Sequence, residues 1–466
     1  MRKEKDGLGE RQLPDEAYYG IQTLRAMENF DVSDDTFAHH PNIVRAMVEI
    51  KKACALTNKE IGALPADVAD AVVAACDELL AGRHLDQFPV NVFRGCGTSI
   101  NMNVNEVLGN RANELLTGRK GSDRVHPNTH VNMCQSSNDV FPTAASLVLY
   151  RETGGLLDAL AKLEEAVGER MDALGPVVRI GRTCLQDAVP LTLGQSLSGY
   201  VSLIRRARAQ IAAFRKHAPT GILGATAVGT GIGVQPGFMK RIYRNLSGVV
   251  GFPVRPDPNF FDGMQNSDGA MTLSALVRNA AAACGKIARD CLLLASGPDG
   301  GIGELRLGPG LPDPEALHVC KLVIQIAHQV GANDWAIGMA AQSGEPDIAP
   351  SGGIKLIALL ESLELVRNAA PLLADVCVRR LEADEERCRR HAEESMSLAT
   401  MASAVRGYAV GSALVRAAGR EGLTCREAAI REGLFPPKAA AELFDVRTLT
   451  DRPGMERLIR AYRQIS

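Results

Sequence analysis

Long helical segments between about residues 141 and 384 constrain the fold of this chain more than any other feature. Apolar residues recur there at steps of three and four, as over 156–171 and 273–294. Helices much longer than the average of about 11–12 residues need partners along most of their surface. The pattern therefore predicts an all-α protein whose helical bundle is shared between subunits. The longest predicted segments are 192–217, 264–296, 316–343 and 352–384.

Length, charge and cysteine spacing exclude several classes of protein. At 466 residues the chain is too long for one ordinary core, so we expect two or three domains. A net charge of −2 argues against binding nucleic acid or a membrane surface as the main task. Because no run of about 18 apolar residues and no hydrophobic leader is present, we expect a soluble, cytoplasmic protein. The 11 cysteines lack paired spacings, which predicts small buried residues; we expect no metal and no cofactor.

The stretch 126–143 has the composition of a site, because hydroxyls, amides and one acid replace the apolar periodicity. Its centre holds Ser136, Ser137, Asn138 and Asp139. Two hydroxyls and an amide are neutral donors that can hold a carboxylate, and the N-terminus of the helix that follows also favours an anion. The alternative is that these residues only cap that helix.

A second polar stretch, 93–106, contains Thr98, Ser99 and Asn101 among glycines that allow a close backbone approach to a ligand. It has neither the lysine nor the spacing of a phosphate-binding P-loop. Three further breaks separate the helices: a polar turn at 181–190, a glycine-rich stretch at 221–237 with the composition of a flexible connector, and a glycine- and proline-rich stretch at 296–314.

Six motifs follow one another along the chain: GTSINMNVNEVLGNRA (97–112), HPNTHVNMCQSSNDVFPTA (126–144), GRTCLQDAVPLTLGQ (181–195), LGATAVGTG (223–231), LLASGPDGGIGE (293–304) and ANDWAIGMAAQSGE (332–345). In this order they resemble the aspartase/fumarase superfamily, and most of all its aspartate ammonia-lyase branch. The resemblance implies β-elimination from a succinyl-type substrate to give fumarate, or the reverse addition. It also implies a homotetramer with a 20-helix core, active sites shared between three subunits, and domains at 1–140, 141–390 and 391–466.

The resemblance assigns substrate-binding roles to residues in three loops. These residues are Thr98, Ser99 and Asn101 in the first loop, Ser136, Ser137 and Asn138 in the second, and Thr183 and Cys184 in the third. Cys184 departs from the family, in which a histidine or glutamine is usual. A thiol is a poor hydrogen-bond donor, so a carboxylate-binding role at this position is weakened.

The stretch 303–318 departs from the family more strongly. Family members carry a mobile loop GSSxMPxKxNP, whose second serine removes the Cβ proton and whose lysine and asparagine hold a carboxylate. Here the stretch contains no serine, lysine or asparagine and is about six residues shorter. Loss of one oxyanion donor alone costs about 3–4 kcal/mol of transition-state stabilisation. We therefore expect no ordinary aspartase activity through the family's serine.

Two hypotheses follow from this departure. The first is a carbon–nitrogen lyase with a substituted base or a better leaving group. The candidate substitute groups are Glu304, Arg306, Asp313, Glu315 and His318. For each of them the alternative is an exposed loop charge or a helix cap, although the guanidinium of Arg306 could replace the lysine as a carboxylate clamp. The second hypothesis is an inactive homologue that binds a dicarboxylate or assembles with an active paralogue.

Overall fold

The computed structural model describes residues 1–95, 97–216, 219–308 and 314–463. Within these ranges helices dominate, and the strands form only two-stranded sheets. None of the described helices is both long and apolar enough to cross a membrane.

The strands are β1 (Arg2–Asp6), β2 (Gly9–Leu13), β3 (Val178–Thr183), β4 (Gln186–Thr192), β5 (Thr220–Gly221), β6 (Arg255–Pro256), β7 (Leu305–Leu307) and β8 (Leu381–Ala383). The α-helices are α1 (Ile21–Asn29), α2 (Pro41–Glu60), α3 (Ala66–Leu80), α4 (Val92–Gly95), α5 (Thr98–Thr117), α6 (Ser137–Ala173), α7 (Leu193–Arg215), α8 (Ile242–Val250), α9 (Phe260–Gln265), α10 (Asp268–Leu294), α11 (Pro314–Ala341), α12 (Gly352–Leu372), α13 (Glu385–Glu394), α14 (Ala399–Arg406), α15 (Tyr408–Glu421), α16 (Cys425–Arg431), α17 (Pro437–Leu443), α18 (Val446–Leu449) and α19 (Arg452–Tyr462).

The long helices confirm the apolar periodicity of the sequence. α6 has 37 residues, and α7, α10 and α11 follow the predicted segments to within a few residues. The prediction was wrong at the end of the last segment. There α12 ends at Leu372, a π-turn covers Leu373–Cys377, and the chain then forms β8. Pro371 lies in the last turn of α12, and a proline removes one backbone donor from the helical ladder.

Two pairs of strands form antiparallel hairpins, and one of them lies where the sequence predicts a polar turn. β1 pairs with β2 near the N-terminus, and β3 pairs with β4 across the predicted polar turn at 181–190. The tip of the second hairpin is Cys184–Leu185, whose φ angles are 50° and 61°. Positive φ at both central residues is the geometry that joins two tightly twisted strands, but it is usually supplied by asparagine and glycine. The turn residues themselves therefore do not predict this hairpin.

The described chain divides into two compact units. The first comprises 1–157, 209–278 and 329–365, and the second comprises 158–208, 279–328 and 366–466. The second unit includes the predicted small helical region near the C-terminus, whose helices α13 to α19 enclose an apolar core around Phe435 and Leu414. The division into three domains stays a prediction.

In the first unit one buried carboxylate fixes the segment that leads into α1. Glu106 of α5 accepts hydrogen bonds from the backbone N–H groups of Gly20, Gln22 and Thr23 and from the hydroxyl of Thr23, at 2.7–3.0 Å. A Cβ atom at Gly20 would lie 2.7 Å from the Glu106 carboxyl carbon. The glycine at this position therefore allows the backbone to approach the carboxylate.

Candidate substrate site around Ser136

The site begins with a helix cap at Ser136. Its hydroxyl accepts a hydrogen bond from Asn138 N (3.3 Å), and its own N–H donates to Asp139 Oδ1 (2.9 Å). This reciprocal pair resembles a capping box, with an aspartate in place of the usual glutamate. The capping interpretation of the sequence is therefore correct for Ser136 and Asp139. Ser137 and Asn138 lie between them in the first turn of α6, half-buried, so their side chains are placed at a helix N-terminus.

Asp139 also binds the glycine-rich stretch of the same unit. Its Oδ2 accepts hydrogen bonds from Gly224 N and Thr226 N, both at 3.0 Å. Asn138 Nδ2 donates to Ala227 O at 2.9 Å. The alternative interpretation of 221–237 as a flexible connector does not fit this part, because buried hydrogen bonds attach its backbone to Asp139.

A buried lysine holds three side-chain amides of the site by hydrogen bonds. Lys51 of α2 is 0% exposed, and its ammonium donates to Asn101 Oδ1 (2.7 Å), Asn132 Oδ1 (2.9 Å) and Gln135 Oε1 (2.9 Å). Asn101 Nδ2 in turn donates to Ser137 Oγ at 3.2 Å. The amide of Asn101 is thus occupied by protein partners, and its geometry is that of a group that positions Ser137.

Burial sets the protonation of this cluster. It raises the pKa of Asp139 to about 7, against the opposing effect of three backbone N–H bonds and of Lys51. It lowers the pKa of Lys51 to about 8. Both charged forms lose solvation in the interior, and their mutual attraction offsets only part of that loss.

The first predicted loop opens α5. Thr98 is exposed and Ser99 is half-buried, and both follow Gly97, whose φ is 94°. Thr98, Ser99, Asn101 and the Ser136 loop all belong to the first unit, and the contact between Asn101 and Ser137 joins the two loops.

The third predicted loop belongs to the second unit. Thr183 and Cys184 are exposed at the tip of the β3–β4 hairpin. Next to them, Arg182 donates to both carboxylate oxygens of Glu304, at 2.8 and 2.7 Å. This ion pair attaches the base of the hairpin to the stretch that follows α10.

Glu304 is therefore not an available substitute for the family's base. It is 0% exposed and also bonds His391 Nδ1 at 2.9 Å, with Arg179 at 3.4 Å. Burial raises the pKa of Glu304, but the hydrogen bonds from Arg182 and His391 outweigh it and leave the pKa below its ordinary value. The prediction that listed Glu304 among the candidate groups was wrong for this physical reason.

The other candidates in this stretch differ in their surroundings. Arg306, at the centre of β7, pairs with Asp384 at 2.9 Å. Glu315 lies in the first turn of α11 and His318 one turn further, both exposed. Asp313 lies outside the described residues. Of the groups proposed to replace the base, the imidazole of His318 is exposed, and the ion pair of Arg306 with Asp384 competes with its use as a carboxylate clamp.

Sequence reasoning missed Lys51, Asn132 and Gln135. A signal was present for the first, since Lys51 falls on the apolar face of α2 beside Ile50 and Cys54, where a lysine needs a buried partner. The cysteines are as expected where described: nine are buried, and Cys184 is exposed. In the described part of the chain no cluster of three or more His, Cys, Asp or Glu side chains is arranged to hold a metal ion.

Comparisons with known proteins identify the family of this chain. A family model described as Lyase matches residues 9–311. The chain is 34% identical over 466 residues to the aspartate ammonia-lyase of a Bacillus species, covering 98% of both chains. It is 38% identical over 458 residues to the class II fumarate hydratase of Thermosynechococcus vestitus, covering 95% of this chain and 96% of the relative.

Solved structures show the same relationship. A fumarate lyase:delta crystallin of Brucella melitensis superposes with a TM-score of 0.91 at 39% identity, covering 96% of this chain and 99% of that one. The class II fumarase of Schistosoma mansoni gives a TM-score of 0.91 at 33% identity, covering 97% and 99%. The family model and these matches over nearly the whole chain show that it belongs to the aspartase/fumarase superfamily of lyases.

Proposed function

We propose that this chain is a lyase that acts on a succinyl-type, aspartate-like dicarboxylate. The reaction is β-elimination to fumarate or the reverse addition, with a base or a leaving group different from that of ordinary aspartases. The observation that carries the proposal is the supported N-terminus of α6. There Ser137 and Asn138 present a hydroxyl and an amide in the first turn of the helix, and a buried network that includes Asn101 holds the Ser137 hydroxyl in place.

The steps of β-elimination explain why we propose a base other than the family's serine. In the elimination a base takes the Cβ proton, the C–H electron pair forms the new double bond, and the leaving group departs with the electrons of its own bond. When the proton leaves first, the electron pair is held on the adjacent carboxylate as an aci-carboxylate dianion until the leaving group departs, and this dianion needs positioned donors. In the stretch 303–308, however, Glu304 is buried and Arg306 is ion-paired, and the sequence 303–317 offers no serine, lysine or asparagine. A better leaving group or a more acidic proton reduces the demand on this stretch.

The test is fumarate release by purified protein, followed by ultraviolet absorbance. We expect aspartate to be turned over far more slowly than by ordinary aspartases, and succinyl adducts with better leaving groups to be turned over measurably. H318A should reduce that turnover at least tenfold if the imidazole takes the proton, since a general base contributes about 10²–10⁴-fold. K321A, one turn further along α11 and also exposed, is the matched control.

Each outcome is informative. Robust turnover of aspartate would contradict the altered base. If no adduct reacts but succinate still binds in calorimetry, the chain is the inactive dicarboxylate-binding homologue. That alternative is supported by the ion pairs of Glu304 and Arg306, which leave neither side chain free to act as a base or a carboxylate clamp.

We further propose a homotetramer in which Thr183 and Cys184 complete the site of a neighbouring subunit, with domains at 1–140, 141–390 and 391–466. The support for assembly is an uncovered apolar pair on α11. Trp335 is 71% exposed and Met339, one turn away, is 53% exposed. Large exposed apolar side chains in adjacent turns of a helix are typical of an interface.

Trp335 is the single tryptophan, so its fluorescence reports on this surface. We expect a mass four times that of the 49.7 kDa chain by light scattering, and the blue-shifted emission of a shielded indole. W335E should shift the mass to smaller species, whereas E364Q, a charge change elsewhere on the long helices, should not. A monomer at micromolar concentration, with emission typical of indole in water, would contradict the assembly.

A further inference from the structure

A cavity of about 440 Å³ in the first unit is lined mainly by apolar side chains of α6, α10 and α12, including Phe141, Leu273 and Leu359. Its volume lies within the range of about 300–1,000 Å³ that is typical of small-molecule pockets. Phe141, Pro142 and Thr143 come from the end of the stretch 126–143, but none of the predicted substrate-binding residues of the three loops lines the cavity. The cavity is therefore a feature that the proposed lyase reaction does not use.

One cation is buried in the wall of this cavity. Lys355 is 8% exposed, and its ammonium donates to Ser267 Oγ at 2.7 Å. Burial lowers the pKa of Lys355, and in the described chain no carboxylate lies close enough to oppose this effect. A buried ammonium with a single neutral partner is unfavourable, because it has lost its hydration without gaining a counter-charge.

The other charged groups around the cavity leave an excess of one positive charge. Arg215 stacks over the Tyr150 ring at 4.0 Å and donates to Tyr150 O. Asp257 is the one carboxylate among the described lining residues.

We propose that this cavity binds a small organic molecule with one carboxylate and an apolar body, and that Lys355 and Ser267 hold the carboxylate. The ammonium retains two free N–H donors for an anion, and the hydroxyl of Ser267 lies beside it. The apolar walls accept an aromatic or branched hydrocarbon body. Succinate lacks the apolar body that these walls would contact, so it should bind this cavity far more weakly.

The test is isothermal titration calorimetry on the full-length protein with 3-phenylpropionate. We expect saturable binding that is at least tenfold tighter than that of the neutral analogue 3-phenylpropionamide, because hydrogen bonds between ionised groups are about twice as strong as neutral ones. K355M should reduce this preference to less than twofold. K240M, which removes an exposed lysine elsewhere in the first unit, is the control and should retain it.

A cavity-filling variant and competition by succinate test whether the probe binds in this cavity. A270F fills the cavity without changing the lysine and should abolish binding of 3-phenylpropionate. Excess succinate should not displace the probe, and N138A should not weaken it. The proposal is overturned if the wild type does not bind the probe, if A270F binds it as well as wild type, if K355M keeps the carboxylate preference, or if succinate competes.

Discussion

Replacing Glu304 by glutamine is expected to lower the free energy of unfolding by about 3–5 kcal/mol, the cost of breaking a buried ion pair. Glu304 is fully buried and receives two hydrogen bonds from the guanidinium of Arg182 and one from His391. Glutamine has one acceptor oxygen and no charge, so the half-buried guanidinium of Arg182 would keep only its longer contact with Asp187, at 3.8 Å. Urea denaturation followed by circular dichroism measures the change.

R306A provides the matched control for this prediction. Arg306 lies two residues further along the chain, but its ion pair with Asp384 is at the surface, with the Arg306 side chain 50% exposed. Exposed pairs contribute about 0–1 kcal/mol, so this variant should retain nearly all of the wild-type stability. If E304Q were as stable as R306A, the buried pair would not hold the β3–β4 hairpin in the way described.

The Glu304 carboxylate also makes the free energy of unfolding depend on pH in the acid range. The pKa of Glu304 in the folded chain lies below its ordinary value, and the hydrogen bonds from Arg182 and His391 are the stabilising cause. Its contribution is therefore fully present above the pKa of an unfolded glutamate, about 4.3, and is lost as the pH falls through the lower folded value. Between pH 5 and pH 3, E304Q should lose less stability than wild type does.

Replacing Asp139 by alanine is expected to cost at least about 3 kcal/mol of stability. Its carboxylate accepts hydrogen bonds from the backbone N–H groups of Ser136, Gly224 and Thr226, and each buried donor left without a partner costs about 1–3 kcal/mol. Since these bonds join the cap of α6 to the glycine-rich stretch, succinate binding should also weaken at least tenfold. Calorimetry with succinate and urea denaturation measure the two effects.

D67A is the control for D139A. Asp67 lies in the first turn of α3, as Asp139 lies in that of α6, but it is exposed and pairs with Arg124 at the surface. Its loss should cost less than about 1 kcal/mol and leave succinate binding unchanged. Succinate binding by D139A equal to that of wild type would show that the Ser136 loop does not need this support.

Much of the helical architecture follows from the sequence, because helix formation depends on residues three and four positions apart. The periodicity that ends near Leu294 locates α10 to within a few residues, and the Ser136–Asp139 cap is a local pattern of polar side chains. The hairpin at Cys184 was not predictable in this way, since two non-glycine residues with positive φ give no local signal.

Only the tertiary structure decided which polar side chains are available for chemistry. Glu304 has the composition of a candidate base in the sequence, but its partner Arg182 lies 122 positions away and removes it from use. Lys51 reaches Asn101 and Gln135 from 50 and 84 positions away. A local pattern records which residues prefer a helix or a turn. The partner of a buried charge is set by which distant segments pack together, because in the interior each charge must find a specific counter-group or hydrogen bond.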